Sequence, residues 1–333
     1  MPHIHRGRFY NYLGEKKEPF FWRSVYMYLA GWAERRASQK ELADWHASGE
    51  AETIVSGLRP AVNQKDGKIT WVGHATFLLT LPGISVLTDP LFDHPTVFFQ
   101  RFQKPGIGLC ELPNVDAVVI SHNHRDHMEK GTLCFLAKQF PHCVFYVPLR
   151  DKQRLESWGI ERVVEANWWD SFTIPSLEPE PVKLTFLPAQ HWTQRGLFDY
   201  NKSLWGSWMI EHAQTSVYFA GDTAYSTHFK EIAREMPSPD ISLLPIGPDE
   251  PGQWMSANHM NAEEAGRAAQ DLGTRVVIPM HWGTLGFGKE RMLSPLKRIQ
   301  AWWVREQMDK LNKKLHPLSV GGALIIRNSR SLL

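Results

Sequence analysis

The sequence predicts an α/β sandwich with an N-terminal helical extension, and three observations carry that expectation. From Lys68 onward, short runs rich in β-branched and aromatic residues are separated by turn residues. Continuous apolar runs then alternate with helix-like stretches, as strands buried on both faces and covered by helices do. Several of these runs end on a histidine or an aspartate, so polar side chains gather where strands stop.

KITWVG, TFLLTL and ISVLTD, separated by GHA and PG, read as a meander of three strands. DAVVIS is apolar enough for a buried strand, and it runs directly into SHNHRDH, Ser121 to His127. TLCFLAKQF reads as a helix, CVFYVP as a strand, and KLTFLPA as a strand leading to His191. SLWGSWMIEH and TSVYFAGD form a hairpin with Asp222 at the exit of its second strand. DISLLPIG, a helix beginning near Asn261, and TRVVIPMH continue the alternation as far as His281. SVGGALIIR closes the series as an edge strand.

Ahead of these runs, residues Pro19–Arg36 follow a different rhythm. Trp22, Val25, Tyr26, Leu29, Trp32 and Ala33 recur at helical spacing, with Arg23, Glu34, Arg35 and Arg36 elsewhere on the wheel. Such a helix either packs its aromatic face on the domain or lies at a membrane interface against acyl chains. The expected division is an extension over residues 1–67 and a domain carrying the chemistry over residues 68–333.

Composition excludes some classes. With 43% hydrophobic and 22% charged residues, a chain of 333 residues buries a sizeable core. Its 37 basic and 35 acidic residues nearly cancel, which gives no footing for a nucleic-acid partner. Three cysteines, Cys110, Cys134 and Cys143, show no CxxC spacing, as expected of a reduced, cytoplasmic chain. The start, MPHIHRGRFYNYL, lacks the basic and apolar regions of a secretory leader. No run approaches the roughly 18 apolar residues of a membrane span, so any membrane contact would be peripheral, through residues 19–36.

The 15 histidines depart from the ordinary, and their arrangement points to metal chemistry. His122 and His124 stand two apart on an extended chain end, so their side chains point the same way and reach one ion. Asp126 and His127 follow as the chain turns, within reach of a second ion beside the first. Three more donors come at strand ends: His191, Asp222, whose two oxygens can bridge a pair of ions, and His281. Asp89, in LTDP at another strand end, is placed to orient a ligand histidine through its far ring nitrogen. Taken singly, each of these residues has a plainer reading as a surface histidine, a turn or a cap. Taken together, HxHxDH followed by three strand-terminal donors does not.

HxHxDH at His122–His127, then His191, Asp222 and His281, resembles the metallo-β-lactamase fold superfamily over about Lys68 to Arg327. The resemblance implies an αββα sandwich with a binuclear site at one edge of the paired sheets. It implies one ion on His122, His124 and His191, another on Asp126, His127 and His281, and Asp222 between them. Zinc is the metal it implies; manganese or iron suits the same donors. Longer motifs are similar to the N-acylphosphatidylethanolamine-hydrolysing phospholipase D family: GRFYN, WVGHATFLL, LTDPLF, LPNVDAVVISHNHRDH, PAQHWTQR, NKSLWGSW, FAGDTAYS, HMNAEEA and MHWGT. In that family His259 matches a histidine near the active site, and a homodimer is the implied assembly. The chain departs from the family where Pro251, Gly252, Gln253 and Trp254 replace Pro-Arg-Trp, and where Asn261 replaces an aspartate. These loops are expected to shape the substrate mouth, so the departures concern the head group and not the metals.

The expected reaction is hydrolysis of a phosphodiester, yielding phosphatidate and an N-acylethanolamine from an N-acylated phospholipid. Asp126 or Asp222 would manage a proton, and His259 would face the phosphate or the leaving group. Acyl chains would need an apolar surface, for which Phe20–Trp32 with Phe98 and Phe99 is the candidate. The alternative keeps the site and changes the reaction: a cytosolic lactonase or another small-ester or phosphoester hydrolase.

Overall fold

The computed structural model describes residues 3–11, 32–49, 51, 66–96, 99–175, 180–213, 215–287 and 289–326. The helix expected over Pro19–Arg36 lies outside them as far as residue 31, as does Phe98. A small hairpin opens the chain, β1 (His3–His5) against β2 (Arg8–Tyr10). Helix α1 then spans Trp32–Ala47 and so continues well past Arg36. Leu42 and Trp45 of α1 are buried, and the Trp45 ring meets Trp282 edge-on at 6.0 Å.

Two seven-stranded sheets come next. The first takes β3 (Gly67–Gly73), β4 (Thr76–Leu81), β5 (Ile84–Thr88), β6 (Ala117–Val119), β7 (Val144–Pro148) and β8 (Val163–Ala166). The second takes β9 (Ser171–Ile174), β10 (Val182–Leu187), β11 (Ser207–His212), β12 (Thr215–Phe219), β13 (Ile241–Pro245), β14 (Val276–Met280) and β15 (Lys314–Leu315). Strand β16 (Ala323–Ile326) returns to pair with β3 at the edge of the first sheet, as SVGGALIIR predicts.

Alternation along each strand explains the layers. In β4, Phe77, Leu79 and Leu81 point between the sheets, while Leu78 joins a separate cluster on the outer face. Ala117 and Val119 of β6 likewise face inward, and Val118 faces out. Across the gap stand Leu184 and Phe186 of β10, Trp208 and Ile210 of β11, and Val217 and Phe219 of β12. Both faces of these strands are buried over most of their length, so their sequences are mainly apolar; Lys183 of β10 is an exposed exception.

Helices cover the outer faces. On the first sheet α2 (Lys130–Gln139) buries Leu133 and Leu136, and α3 (Lys152–Glu156) buries Leu155. On the second lie α4 (His228–Glu235), α6 (Ala262–Asp271) and α7 (Ser294–Arg305), with the short α5 (Gly252–Met255) in the loop before α6. Helix α6 begins where the sequence places it: Asn261 Oδ1 accepts from the Glu264 N–H, and Glu264 returns a carboxylate to the Asn261 N–H. The arrangement is the expected αββα sandwich.

Candidate metal centre

Strands β3, β5, β6, β12 and β14 bring their exits to one edge of the sandwich, and the loops there carry the donors. Strand β6 ends at Val119, and two bonds between the sheets fix the residues after it. Trp208 Nε1 donates to the Ile120 carbonyl at 2.9 Å, and the Gly206 N–H donates to the Ser121 carbonyl at 2.9 Å. Asp222 approaches from the other sheet through Gly221, which has φ +58; a β-carbon there would lie 2.4 Å from that of Ser121. Only glycine allows the two loops so close. The Arg195 guanidinium then ties down the histidine loop, with Nη1 donating to the carbonyls of Asn123 at 2.9 Å and Met128 at 2.7 Å.

The ring nitrogens of His122, His124 and His191 all lie within 4.8 Å of one another. His122 Nε2 is 2.7 Å from His124 Nδ1, and His191 Nε2 is 3.3 Å from the same atom. His191 Nδ1 must donate to the Asn258 carbonyl at 2.8 Å, which turns Nε2 toward the group. A second group joins Asp126, His127 and His281 with His74. His127 Nδ1 donates to Asp89 Oδ2 at 2.7 Å, the contact expected of Asp89, and this leaves Nε2 facing Asp126 and Asp222 at 3.3 Å each.

Asp222 spans the two groups. Its Oδ1 lies 3.0 Å from His281 Nε2, while Oδ2 lies 3.3 Å from His127 Nε2 and 3.9 Å from His191 Nε2. His259 stands at the rim: its Nδ1 is 3.7 Å from Asp222 Oδ2, and its ring is 5.2 Å from that of His191.

His74 is the residue that sequence reasoning misses. Inside GHA it reads only as part of the link between β3 and β4. A bulge at Trp71–Gly73 and φ +57 at His74 turn its ring into the site, where Nε2 lies 3.1 Å from Asp126 Oδ2. A signal is present, for this histidine also comes just after a strand end. Asp89 and His281 share the left-handed backbone, with φ +32 and +65. Three non-glycine residues in that sparsely populated region mark where the surrounding packing holds the backbone under strain.

Burial keeps several of the imidazoles neutral, and one strong pairing is charged. Burial lowers the imidazoles of His74, His191 and His259 to about 3 and that of His124 to about 4. Burial pulls His127 the same way, but the carboxylates of Asp222 and Asp126 outweigh it and raise its pKa well above the ordinary value. The reverse holds for those carboxylates: burial raises both, and His127 with its neighbours brings each well below the usual range.

Two features test whether a metal suits these residues. The neutral imidazoles of His74, His124 and His191 and the ionised carboxylates of Asp126 and Asp222 are in the states that bind divalent cations, and His127 would release its proton on binding. In addition, His124 Nε2, His127 Nε2, Asp222 Oδ1, His259 Nδ1 and His281 Nε2 are buried without a hydrogen bond. Buried polar atoms left unpaired cost about 1–3 kcal/mol each. A cation would satisfy those that converge, and the donor set fits one.

The sequence profile of the β-lactamase superfamily domain matches residues 85–282, which include every donor named above except His74. An uncharacterised protein of Mycobacterium tuberculosis is 34% identical over 274 residues, 78% of this chain and 71% of that one. The N-acyl-phosphatidylethanolamine-hydrolyzing phospholipase D 1 of Caenorhabditis elegans is 33% identical over 243 residues, 69% of this chain and 68% of that one. Among solved structures, a metallo hydrolase of the archaeon Ignicoccus hospitalis superposes with a TM-score of 0.62 at 22% identity, over 79% of this chain and all of that one. The sandwich, the converging imidazoles and carboxylates, and these similarities agree: the chain belongs to the β-lactamase superfamily, as a metal-dependent hydrolase of the metallo-β-lactamase fold.

Proposed function

We propose that the protein is a binuclear metal-dependent phosphodiesterase that cleaves N-acylphosphatidylethanolamine in the manner of a phospholipase D. The observation that carries the binuclear part is the Asp222 carboxylate, with one oxygen turned to His281 and the other to His127 and His191. His122, His124 and His191 would hold one ion, Asp126, His127 and His281 the other, and Asp222 would serve both. Zinc suits this donor set, and manganese or iron would also fit it. When bound, such a pair lowers the pKa of water and offsets negative charge on a phosphoryl group.

The chain's own groups then divide the remaining work. Asp126 or Asp222 would take a proton from the attacking water, and Asp126, 15% exposed against 3%, is the more accessible of the two. His259, held neutral near pH 7, offers an N–H to a phosphoryl or leaving-group oxygen and adds no charge. Attack at phosphorus breaks its bond to the ethanolamide oxygen; the alcohol leaves with a proton and phosphatidate remains.

Support for a lipid substrate comes from the Caenorhabditis elegans relative and from the aromatic walls of the site. Phe287 packs 4.9 Å from Phe99 and 6.0 Å from the His74 ring; Trp192 packs 4.4 Å from His124. Leu197 and Phe198, in the loop after His191, are 82% and 81% exposed, an apolar pair on the surface. Of the acyl-surface candidate, Phe99 packs on Phe287, while Phe20–Trp32 and Phe98 fall where no side chain is described.

Phosphatidate release from N-acylphosphatidylethanolamine vesicles by zinc-loaded protein tests the proposal, with Asp126→Asn as control. Release that the variant loses by two orders of magnitude or more is expected. A protein holding two ions that hydrolyses soluble lactones or phosphodiesters and leaves the vesicles intact would overturn the lipid assignment.

A further inference from the structure

The GRFYN run at the start of the chain, Gly7 to Asn11, has no part in the proposed chemistry, yet its last residue reaches the metal centre. We propose that Asn11 is a positioning residue for His191, and that residues 7–11 are a clip which holds metal in the site. This rests on the metal reading of the site and is independent of the substrate.

The need arises where β10 ends. Past Leu187 the chain leaves the sheet, and His191 is wholly buried with no strand neighbour for its peptide groups. Buried backbone donors and acceptors require partners. Asn11 answers both with one side chain: Nδ2 donates to the His191 carbonyl at 2.8 Å, and Oδ1 accepts from the His191 N–H at 3.2 Å. Trp205 Nε1 donates to the same Oδ1 at 3.0 Å, which fixes the direction of the amide. The Asn258 carbonyl fixes the ring from the other side. Backbone and imidazole are thus both set, with Nε2 left pointing at His124 and Asp222.

Asn11 can do this because the residues before it are anchored. Phe9 is wholly buried, and its N–H donates to the Asn201 carbonyl at 2.8 Å while Asn201 Nδ2 donates to the Phe9 carbonyl at 3.2 Å. Asn201 Oδ1 also accepts from the Thr193 N–H at 3.0 Å, two residues beyond His191. Arg150 lies over the Phe9 ring at 4.8 Å and donates to the Gly7 carbonyl at 2.7 Å. The His191 loop is therefore gripped at His191 and, through Asn201, at Thr193. A ligand held so firmly needs no rearrangement to bind, and groups that orient metal ligands are worth about 10–100-fold in affinity.

The test is zinc transfer from the full-length, zinc-loaded protein to a chromogenic chelator, alongside thermal melts of zinc-loaded and metal-free forms. Asn11→Ala is expected to release zinc about tenfold faster or more, and to narrow the gap between the two melting points. A purely structural role would lower both melting points equally and leave release unchanged; that result overturns the proposal. Asn11→Asp, which keeps the acceptor and loses the donor to the His191 carbonyl, gives the same reading if the alanine variant does not fold. Coupling is reciprocal, so zinc should also slow amide exchange over residues 7–11 of the wild-type protein. Exchange there that ignores zinc would likewise overturn it. Wild-type protein that retains no zinc would instead refute the metal reading itself.

Discussion

His74 Nε2 lies 3.1 Å from Asp126 Oδ2, a contact between residues 52 apart in sequence and both turned into the metal centre. His74 reaches it from a left-handed turn whose N–H is held by Thr284 Oγ1 at 2.8 Å, in the loop after His281. Its ring lies 4.0 Å from that of His281. One turn therefore touches a carboxylate and an imidazole of the same proposed ion.

His74→Ala should leave the sandwich folded and weaken metal retention. Loss of a group that orients a metal ligand costs about 10–100-fold in affinity or turnover. Competition of the variant and wild type against a chelator of known affinity measures the first, and phosphatidate release at saturating zinc measures the second. Unchanged values in both would make His74 a packing residue.

Gly221→Ala should disturb the site from within the backbone. The new β-carbon would meet that of Ser121 at 2.4 Å in a left-handed conformation. Overpacking and strain of this kind cost about 1–3 kcal/mol each. The expected outcome is a lower urea midpoint together with weaker metal binding, because Ser121 and Asp222 are pushed apart. A midpoint equal to wild type would show that the two loops are not in contact.

His228 should make the metal-free protein sensitive to mild acid. Its ring is 2% exposed, and burial lowers its pKa from 6.5 to about 3. The folded state then stays neutral while the unfolded chain takes up a proton, so stability falls as pH drops below 6.5 and goes on falling to about 3. At pH 5 the loss from this group is about 2 kcal/mol relative to pH 8. Urea unfolding of wild type and His228→Leu at both values checks it: the difference between the two proteins should shift by that amount in favour of the variant at pH 5.

Much of this site is legible in the sequence because it sits at strand ends. HxHxDH, His191, Asp222 and His281 each come after an apolar run that the fold buries on both faces, and such runs are readable without tertiary information. Asp89 is legible for the same reason. His74 and Asn11 are not, because their roles depend on turns and long-range closure: one rests on a bulge and a positive φ, the other on a partner 180 residues away. Strands β8 and β9 escape for a different reason. VVEA and SFTI carry polar or exposed residues at the ends of their sheets, so neither shows the unbroken apolar run of a central strand. Helices α4 and α7 also go unanticipated, though His228–Glu235 and Ser294–Arg305 bury one face each.

Native mass spectrometry of zinc-loaded protein tests the central claim most directly, that Asp222 joins two metal-binding groups. Two ions per chain are expected in the wild type. His124→Ala should keep one, held by Asp126, His127 and His281, and Asp222→Asn should weaken both. A single ion in the wild type, or two ions undiminished in Asp222→Asn, would contradict the shared carboxylate and the binuclear site with it.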